Sequence, residues 1–314
     1  IELLVRVLAV SINHLDIWVR KGTPRVRLPL PMVPGCDGTG EIAALGAGVE
    51  GLAVGQRVVI EPGYSSGESA HDRAGDDHLS DDYQIRGEHF DGLDREYVAI
   101  ESRFVFPLPD GVDPVQAAAV PLVFLTAWGM VVSRARAQKG ETVLVLGGAA
   151  GVGSAAIQIA RELGARVIAT AGDERKRALC LELGADAAID HRADDWSKEV
   201  KRLTDGRGAD GGVEHVGQAT WAHSMRSLAR NGRLVTCGAT TGPRAEIQLQ
   251  HLFIKNLSLL GSTMGPRGAL PVVFQRVATG AYRPVVDRVL PLARAHEAIE
   301  RREVAGKIVL VPGE

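Results

Sequence analysis

The segment ETVLVLGGAAGVGSAAIQIARELGARVIATAGDERKRALCLELGADAAID, which runs from Glu141 to Asp190, decides the fold of this chain. Residues 142–146 form a short apolar run rich in β-branched side chains, which predicts a buried strand. Residues 147–153 predict a tight turn, and the apolar spacing over residues 154–163 predicts a helix. Residues 166–170 predict a second strand. This order of elements is typical of a doubly wound α/β sheet.

The glycine turn has the chemistry of a dinucleotide site. Between a parallel strand and a helix N-terminus, unpaired backbone N–H groups and the positive end of the helix dipole point at one place, where a pyrophosphate fits. In the usual G-x-G-x-x-G pattern, Ala150 takes the middle place and leaves the phosphate slightly less room. We expect the coenzyme to contact five residues of the turn, namely Gly148, Ala150, Gly151, Val152 and Gly153.

The end of the second strand bears on which dinucleotide binds. NAD favours a carboxylate there for the ribose 2′-OH, whereas NADP favours a small residue and a nearby cation. Gly172 stands at this place, followed by Asp173, Arg175 and Lys176. The two cations favour NADPH, and NADH is the second choice because Asp173 lies at the spacing of a ribose ligand. A third interpretation makes Asp173 a first-turn residue that complements the helix dipole.

Composition limits the possible partners. The 314 residues carry a net charge of −2 and are 45% apolar, which argues against nucleic acid or an anionic membrane as a partner. Three scattered cysteines suit a reducing cytoplasm. We expect a cytoplasmic protein with a small-molecule substrate. Because Ile1 opens within a predicted strand, we expect an N-terminal segment to precede it.

Four segments in order, NHLDIWVRKG, PMVPGCDGTGEIAALGAGVEGLAVGQRVV, PLVFLTAW and GGAAGVGSAAIQIARELGARVIATAG, resemble the medium-chain dehydrogenase/reductase superfamily. The quinone oxidoreductase side, with its alcohol dehydrogenase-like relatives, is most similar. The resemblance implies a mostly-β GroES-like substrate domain over residues 1–120, completed by 270–314. It also implies a Rossmann domain over residues 121–269 and a homodimer or homotetramer.

The resemblance bears on metal binding as well. The places of the three catalytic zinc ligands in zinc alcohol dehydrogenases correspond here to Asn13, Cys36 and Leu122, with Asp37 where a nearby Glu is usual. Leucine supplies no ligand, so we expect no metal and no catalytic zinc. Asn13 is then a candidate hydrogen-bond donor to a developing oxyanion, and Cys36 and Asp37 are candidate participants.

Residues 63–92 form a long polar lobe. Relatives with a structural zinc carry four cysteines there, and the matching places are Ser66, Ser69, Asp72 and Ser80. We expect a metal-free lobe held by Asp, Arg and His pairing or partly disordered. The alternative is a hard-cation site formed by Asp72, Asp76 and Asp77.

The nicotinamide end of the site is implied by the resemblance alone. Thr126 is the hydroxyl expected beside the ring, and four further positions are expected near the coenzyme: His215, Gly238, Gly261 and Ser262. The expected function is NADPH-dependent hydride transfer to a quinone, enone or carbonyl without zinc. The alternatives are a zinc-type alcohol dehydrogenase and a coenzyme-binding protein with little catalysis.

Overall fold

The computed structural model describes residues 1–22, 28, 30–300 and 303–313. The chain divides into two compact units. The first contains Ile1–Leu125 and Pro266–Glu314, and the second contains Thr126–Gly265. In the part of the chain described, no helix is both long and apolar enough to cross a membrane.

The first unit is mostly β. Its strands are β1 (Glu2–Ser11), β2 (Asp37–Leu45), β3 (Arg57–Ile60), β4 (Gly63–Tyr64), β5 (Gln84–Ile85), β6 (Tyr97–Glu101) and β7 (Val105–Pro107), and, after the six strands of the second unit, β14 (Val286–Pro291) and β15 (Lys307–Val311). A seven-stranded sheet has the order β14-β15-β1-β2-β3-β7, with β6 also paired to β1, and β4 pairs with β5 alone. Residues 307–311 join this sheet from the far end of the chain, because β15 pairs with β1.

Alternating burial in β1 explains its central place in this sheet. Leu3, Val5 and Val7 are buried while Glu2 and Arg6 are exposed, which is the period-two pattern of a strand with one face on a core.

The unit's helices are α1 (His14–Lys21), α2 (Ala70–Ala74), α3 (Pro114–Ala118), α10 (Ala269–Ala278) and α11 (Ala295–Glu300), and α4 (Pro121–Trp128) carries the chain into the second unit.

The second unit is a parallel α/β sheet. Its strands are β8 (Thr142–Val145), β9 (Arg166–Ala171), β10 (Ala187–Asp190), β11 (Ala209–Glu214), β12 (Leu228–Thr236) and β13 (Ser258–Gly261). Its helices are α5 (Gly151–Glu162), α6 (Glu174–Glu182), α7 (Trp196–Leu203), α8 (Trp221–Ser227) and α9 (Leu249–Ile254). The strand order β10-β9-β8-β11-β12-β13 is that of a Rossmann sheet, which confirms the predicted fold class.

Close contacts at glycine shape two further segments. The continuous helical pattern of residues 114–132 is divided into α3, α4 and a π-helix over Gly129–Arg134. At Gly129 a Cβ would overlap the Met264 carbonyl oxygen, so close backbone contact fixes the helix there. Gly212 lies within β11, where a Cβ would stand 2.7 Å from Leu234 Cδ1. The leucine side chain fills the space that a larger residue would need.

Candidate active site

The glycine turn is held by close packing on both sides. At Gly148 a Cβ would lie 2.8 Å from the Cys180 sulfur and 2.9 Å from Ala169 Cβ. At Gly153 a Cβ would overlap the Gly147 carbonyl oxygen. Both positions therefore require glycine, one for packing of the turn on β9 and one for packing of α5 on the turn.

The first turn of α5 is open to an anion. Helix α5 begins at Gly151, three residues earlier than its apolar spacing predicts, and its N-cap Ala150 has no capping side chain. The first N–H groups of a helix have no intrahelical partner, and they lie at the positive end of the helix dipole. The backbone of residues 151–153 can thus receive a pyrophosphate, so the turn fits a dinucleotide.

Thr170, at the end of β9, connects the glycine turn to the next strand. Its hydroxyl accepts from Gly147 N at 3.1 Å and lies 3.2 Å from His191 Nδ1. Its carbonyl accepts from Gly148 N at 2.8 Å. Thr170 therefore fixes the geometry of the glycine turn and places His191 beside it.

Asp173 acts as the N-cap of α6. Its Oδ1 accepts from Lys176 N at 2.8 Å, and its Oδ2 lies 3.7 Å from Lys176 Nζ. The hydrogen bond from the Lys176 backbone lowers the pKa of Asp173. Asp173 therefore lies at the N-cap, one residue before the first turn, where its charge complements the helix dipole. Arg175 is exposed on the first turn of the same helix.

Two residues at the end of β10 join this region, and sequence reasoning missed both. At Gly172 a Cβ would lie 2.9 Å from Arg192 Nε and 3.0 Å from His191 Nε2, so both side chains lie against this glycine. Because β9 and β10 are parallel neighbours, their carboxyl ends meet at one edge. The HR pair directly after a predicted third strand is the signal that could have found them.

Thr126 is buried near the other predicted coenzyme contacts of the second unit. Its hydroxyl lies 3.8 Å from the Met264 sulfur. Gly261 ends β13, where its carbonyl accepts from Arg134 Nε at 2.8 Å, and Ser262 N donates to the Thr236 carbonyl at 2.9 Å. These bonds hold the segment after β13 against the π-helix and β12.

His215 follows β11 and lies against the glycine turn. Its Nε2 is 2.7 Å from the Leu146 carbonyl, and a Cβ on Gly147 would stand 3.1 Å from its ring. Burial lowers the pKa of His215, so the ring is neutral and Nε2–H donates to that carbonyl. Gly238 packs on the same segment, since a Cβ there would lie 3.1 Å from the His215 carbonyl oxygen.

In the first unit, Asn13, Cys36 and Asp37 come together. The Asn13 amide donates to Asp37 Oδ1 at 2.8 Å, to Cys36 Sγ at 3.1 Å and to the Ser11 carbonyl at 3.2 Å. Its oxygen accepts from Lys307 Nζ, a buried cation that sequence reasoning missed. A lysine within the apolar strand β15 was the available signal. The Asn13 amide hydrogens already have protein acceptors.

The donor set of this cluster does not match a catalytic zinc. Asp37 Oδ1 also accepts from Ser11 Oγ at 2.8 Å, and its Oδ2 accepts from Leu122 N at 2.9 Å. Burial raises the pKa of the Cys36 thiol well above its usual value, which favours the protonated form over the thiolate that zinc binds. Across the described ranges, no group of three His, Cys, Asp or Glu side chains could hold a metal ion.

Two further carboxyl groups lie beside Cys36. Asp16 Oδ1 accepts from Gly35 N at 3.3 Å, and the Asp94 carboxyl is so close to Gly35 that a Cβ there would overlap it. Burial raises the pKa of Asp16 to about 6. Burial first, and then the charges of Asp16 and Asp37, raise the pKa of Asp94 to about 7. The Asp94 carboxyl is therefore partly protonated at neutral pH, and the Asp16 carboxyl takes up its proton at a somewhat lower pH.

The polar lobe is fully described and is organised by serine–aspartate hydrogen bonds. Asp72 accepts from Ser65 Oγ and from Ser69 Oγ, both at 2.6 Å, and Ser80 Oγ donates to Asp82 at 2.5 Å. The Asp72 carboxylate is thus engaged by hydroxyls. Asp77, of the alternative cation site, accepts from Arg267 N at 2.8 Å. The pairing in the lobe involves serine more than the expected arginine and histidine.

Comparison with known proteins agrees with this geometry. Two family models match: alcohol dehydrogenase GroES-like domain over residues 1–110 and zinc-binding dehydrogenase over 151–279. The quinone oxidoreductase of Lama guanicoe is 30% identical, over 99% of this chain and 88% of its own length. An alcohol dehydrogenase of Geobacillus stearothermophilus is 30% identical, over 98% of this chain and 91% of its own.

Solved structures give the same result. A crystal structure of an NAD-dependent alcohol dehydrogenase has a TM-score of 0.95 at 45% identity, and covers 99% of this chain and 92% of its own. The alcohol dehydrogenase of Aeropyrum pernix has a TM-score of 0.92 at 30% identity, with coverage of 99% and 92%. The chain therefore belongs to the medium-chain dehydrogenase/reductase superfamily, as an NAD(P)-dependent oxidoreductase similar to quinone reductases and alcohol dehydrogenases.

Proposed function

We propose that this oxidoreductase uses NADPH to reduce a quinone, an enone or a carbonyl compound without a catalytic zinc. The observation that carries the proposal is the hydrogen-bond set around Asn13 and Asp37. The places of the zinc ligands hold an amide, a protonated thiol and a carboxyl group that accepts hydrogen bonds on both oxygens. Leu122 completes this set with a side chain that has no ligand atom. Zinc needs three or four N, S or O ligands, which these residues do not supply.

The preference for NADPH rests on charge at the edge of β9 and β10. Arg192 lies against Gly172, Arg175 and Lys176 follow that glycine in the first turn of α6, and a 2′-phosphate placed there gains charge-assisted hydrogen bonds. Asp173, the rival ribose ligand, caps α6 with one oxygen and faces Lys176 with the other. A ribose hydroxyl would compete with both interactions, so we place NADH second.

The chain's own residues bind and orient the reactants. The coenzyme, when bound, supplies the hydride. The backbone of residues 151–153 holds the pyrophosphate, and the Thr126 hydroxyl is the proposed donor to a substrate oxygen. Because the Asn13 hydrogens are engaged, we propose that Asn13 positions Cys36 and Asp37 instead of donating to the substrate.

A titration of the purified protein with NADPH and with NADH, followed by nicotinamide fluorescence, tests the coenzyme part. We expect NADPH to bind at least tenfold more tightly, which equals about 1.4 kcal/mol. Turnover of quinones and enones should then persist in protein shown by elemental analysis to be free of zinc. Tighter NADH binding, or activity that appears only when zinc is added, would refute the proposal.

The second candidate is an NAD-dependent alcohol dehydrogenase, favoured by the 45% identity to the solved enzyme of that description. It requires Asp173 to accept from a ribose hydroxyl while its Oδ1 caps α6. Oxidation of simple alcohols with NAD⁺, at a rate exceeding quinone reduction with NADPH, would select it. Stoichiometric zinc that survives dialysis would support a metal-assisted form.

We also propose a homodimer or homotetramer in the cytoplasm. Strand β13 is the last strand on its side of the parallel sheet, and Leu249, Phe253 and Ile254 of α9 are more than half exposed. Exposed apolar side chains of this size mark interaction surfaces. The three cysteines are unpaired, as a reducing compartment requires. Light scattering of the purified protein gives the oligomeric state directly.

A further inference from the structure

A pocket with a volume of about 390 Å³ lies in the second unit. Small-molecule sites typically have volumes of about 300–1,000 Å³. Four of the six lining residues are cationic, and the lining consists of Lys201, Gly206, Arg207, Ala229, Arg230 and Lys255. No carboxylate side chain belongs to this set. We call it the basic pocket.

The basic pocket is separate from the glycine turn. Arg207 precedes β11, Arg230 lies near the start of β12, and Lys255 precedes β13. These places are at the amino ends of parallel strands, whereas the glycine turn follows the carboxyl end of β8. A ligand in the basic pocket therefore lies at the opposite edge of the sheet from the proposed coenzyme site.

An irregularity of β12 forms one wall. Leu228 pairs with Ala209 and Arg233 pairs with Gly211, so four residues of β12 stand against one of β11. This bulge projects Ala229 and Arg230 away from the ladder, with Asn231 in a left-handed conformation at φ 61°. Asn231 N donates to the Lys255 carbonyl at 2.7 Å, which fixes the bulge to the segment after α9. The wall is a defined part of the fold.

The cations of the pocket are held close together. Lys201 Nζ donates to the Leu228 carbonyl at 3.1 Å, and Lys255 Nζ donates to the same oxygen at 2.8 Å. In the ranges that the structure covers, Lys201, Arg230 and Lys255 form no ion pair, while Arg207 pairs with Asp210. Two ammonium groups on one carbonyl repel each other, and an anion between them would remove that repulsion.

The pKa shifts of groups in and beside the basic pocket agree with a positive electrostatic potential there. Burial first, and then the charge of Lys255, lower the pKa of Lys201 to about 8. Burial and the charges of Lys255 and Lys201 also lower the pKa of His251 on α9. Cations at helix C-termini can serve merely to complement the helix dipole. Complementing a helix dipole does not account for the open volume of the basic pocket or for the convergence of four cations there.

We propose that the basic pocket binds a phosphorylated small molecule, whose phosphate oxygens are received by Lys201, Arg230 and Lys255. Phosphate is the anion that best matches several converging ammonium and guanidinium donors, because each of its oxygens accepts a charge-assisted hydrogen bond. The pocket is larger than one phosphate group needs, so the remainder of the volume would take the body of the ligand.

The test is calorimetric titration with pyrophosphate at low ionic strength, about 20 mM, where charge interactions are weakly screened. It is carried out on the full chain alone and on protein saturated with NADPH, since pyrophosphate also fits the glycine turn. We expect one binding event to survive coenzyme saturation. Lys255→Met should weaken that event at least tenfold, and Lys255→Arg should restore it.

Lys198→Met is the matched control, because it removes a lysine of the same helix as Lys201 but one that is paired with Asp195. It should leave pyrophosphate binding within twofold of the unmodified protein. Arg230→Gln provides a second pocket variant if Lys255→Met does not fold. The proposal is overturned if no event survives NADPH saturation, or if Lys255→Met and Arg230→Gln both leave it unchanged.

Discussion

Replacing Asp94 by asparagine should stabilise the protein at alkaline pH. In the described structure neither carboxyl oxygen of Asp94 has a hydrogen-bond partner, and both are buried. Its pKa rises from 3.8 to about 7, with burial as the largest cause. The folded protein therefore binds this proton more tightly than the unfolded chain, and stability falls as pH rises from about 4 to about 7.

The size of the stability change follows from the pKa shift of Asp94. Each pKa unit corresponds to about 1.4 kcal/mol, so ionised Asp94 costs at most about 4 kcal/mol above pH 7, and about half of that after local relaxation. Asp94→Asn abolishes the titration while nearly keeping the shape. We expect it to raise the free energy of unfolding by about 2–4 kcal/mol at pH 8 and to change it little at pH 4.

Urea denaturation of both proteins at pH 4, 6 and 8 measures this difference. Asp110→Asn, at an exposed position, is the control and should change the free energy of unfolding by less than about 0.5 kcal/mol at every pH. An Asp94→Asn variant that is no more stable than the unmodified protein at pH 8 would refute the reasoning, because Asp94 would then be ionised without cost.

Three further predictions concern the coenzyme site. Lys176→Met should weaken NADPH binding by about 10-fold to 100-fold, because one charge-assisted hydrogen bond is lost. In the same fluorescence titrations, the affinity for NADH should change by less than about twofold. Equal losses of affinity for both coenzymes would remove Lys176 from the 2′-phosphate site. Gly148→Ala should lower the free energy of unfolding by about 1–3 kcal/mol in thermal unfolding, because the added Cβ overpacks against Cys180. Gly268→Ala is the control and should not lower it, because the Cβ there meets open space. Thr126→Val should reduce kcat by about a hundredfold without changing NADPH affinity, and an unchanged kcat would exclude its hydroxyl from the reaction.

The sequence predicted what depends on local pattern. The turn at residues 147–153 and the parallel sheet follow from short-range spacing of apolar residues and glycines. A helix boundary differs from its prediction where backbone contacts determine where the helix begins. Helix α5 begins at Gly151 because the glycines of the turn continue into its first turn.

Contacts between distant parts of the chain were not predictable in this way. The bond from Lys307 to Asn13 joins residues 294 positions apart. It engages the Asn13 amide oxygen, a contact that the residue type alone does not show. His191 and Arg192 reach Gly172 only because β10 lies beside β9, which local periodicity does not encode. The same applies to Asp94, whose burial beside Gly35 is a product of tertiary packing.

The most direct test of the central claim is a single assay of metal-free protein. Zinc content is first shown to be far below one equivalent, and the oxidation of NADPH by 1,4-naphthoquinone is then followed at 340 nm with and without added zinc. We expect steady turnover that zinc does not increase, and slower turnover with NADH. Absence of turnover until zinc is added, or faster turnover with NADH, would contradict zinc-independent reduction by NADPH.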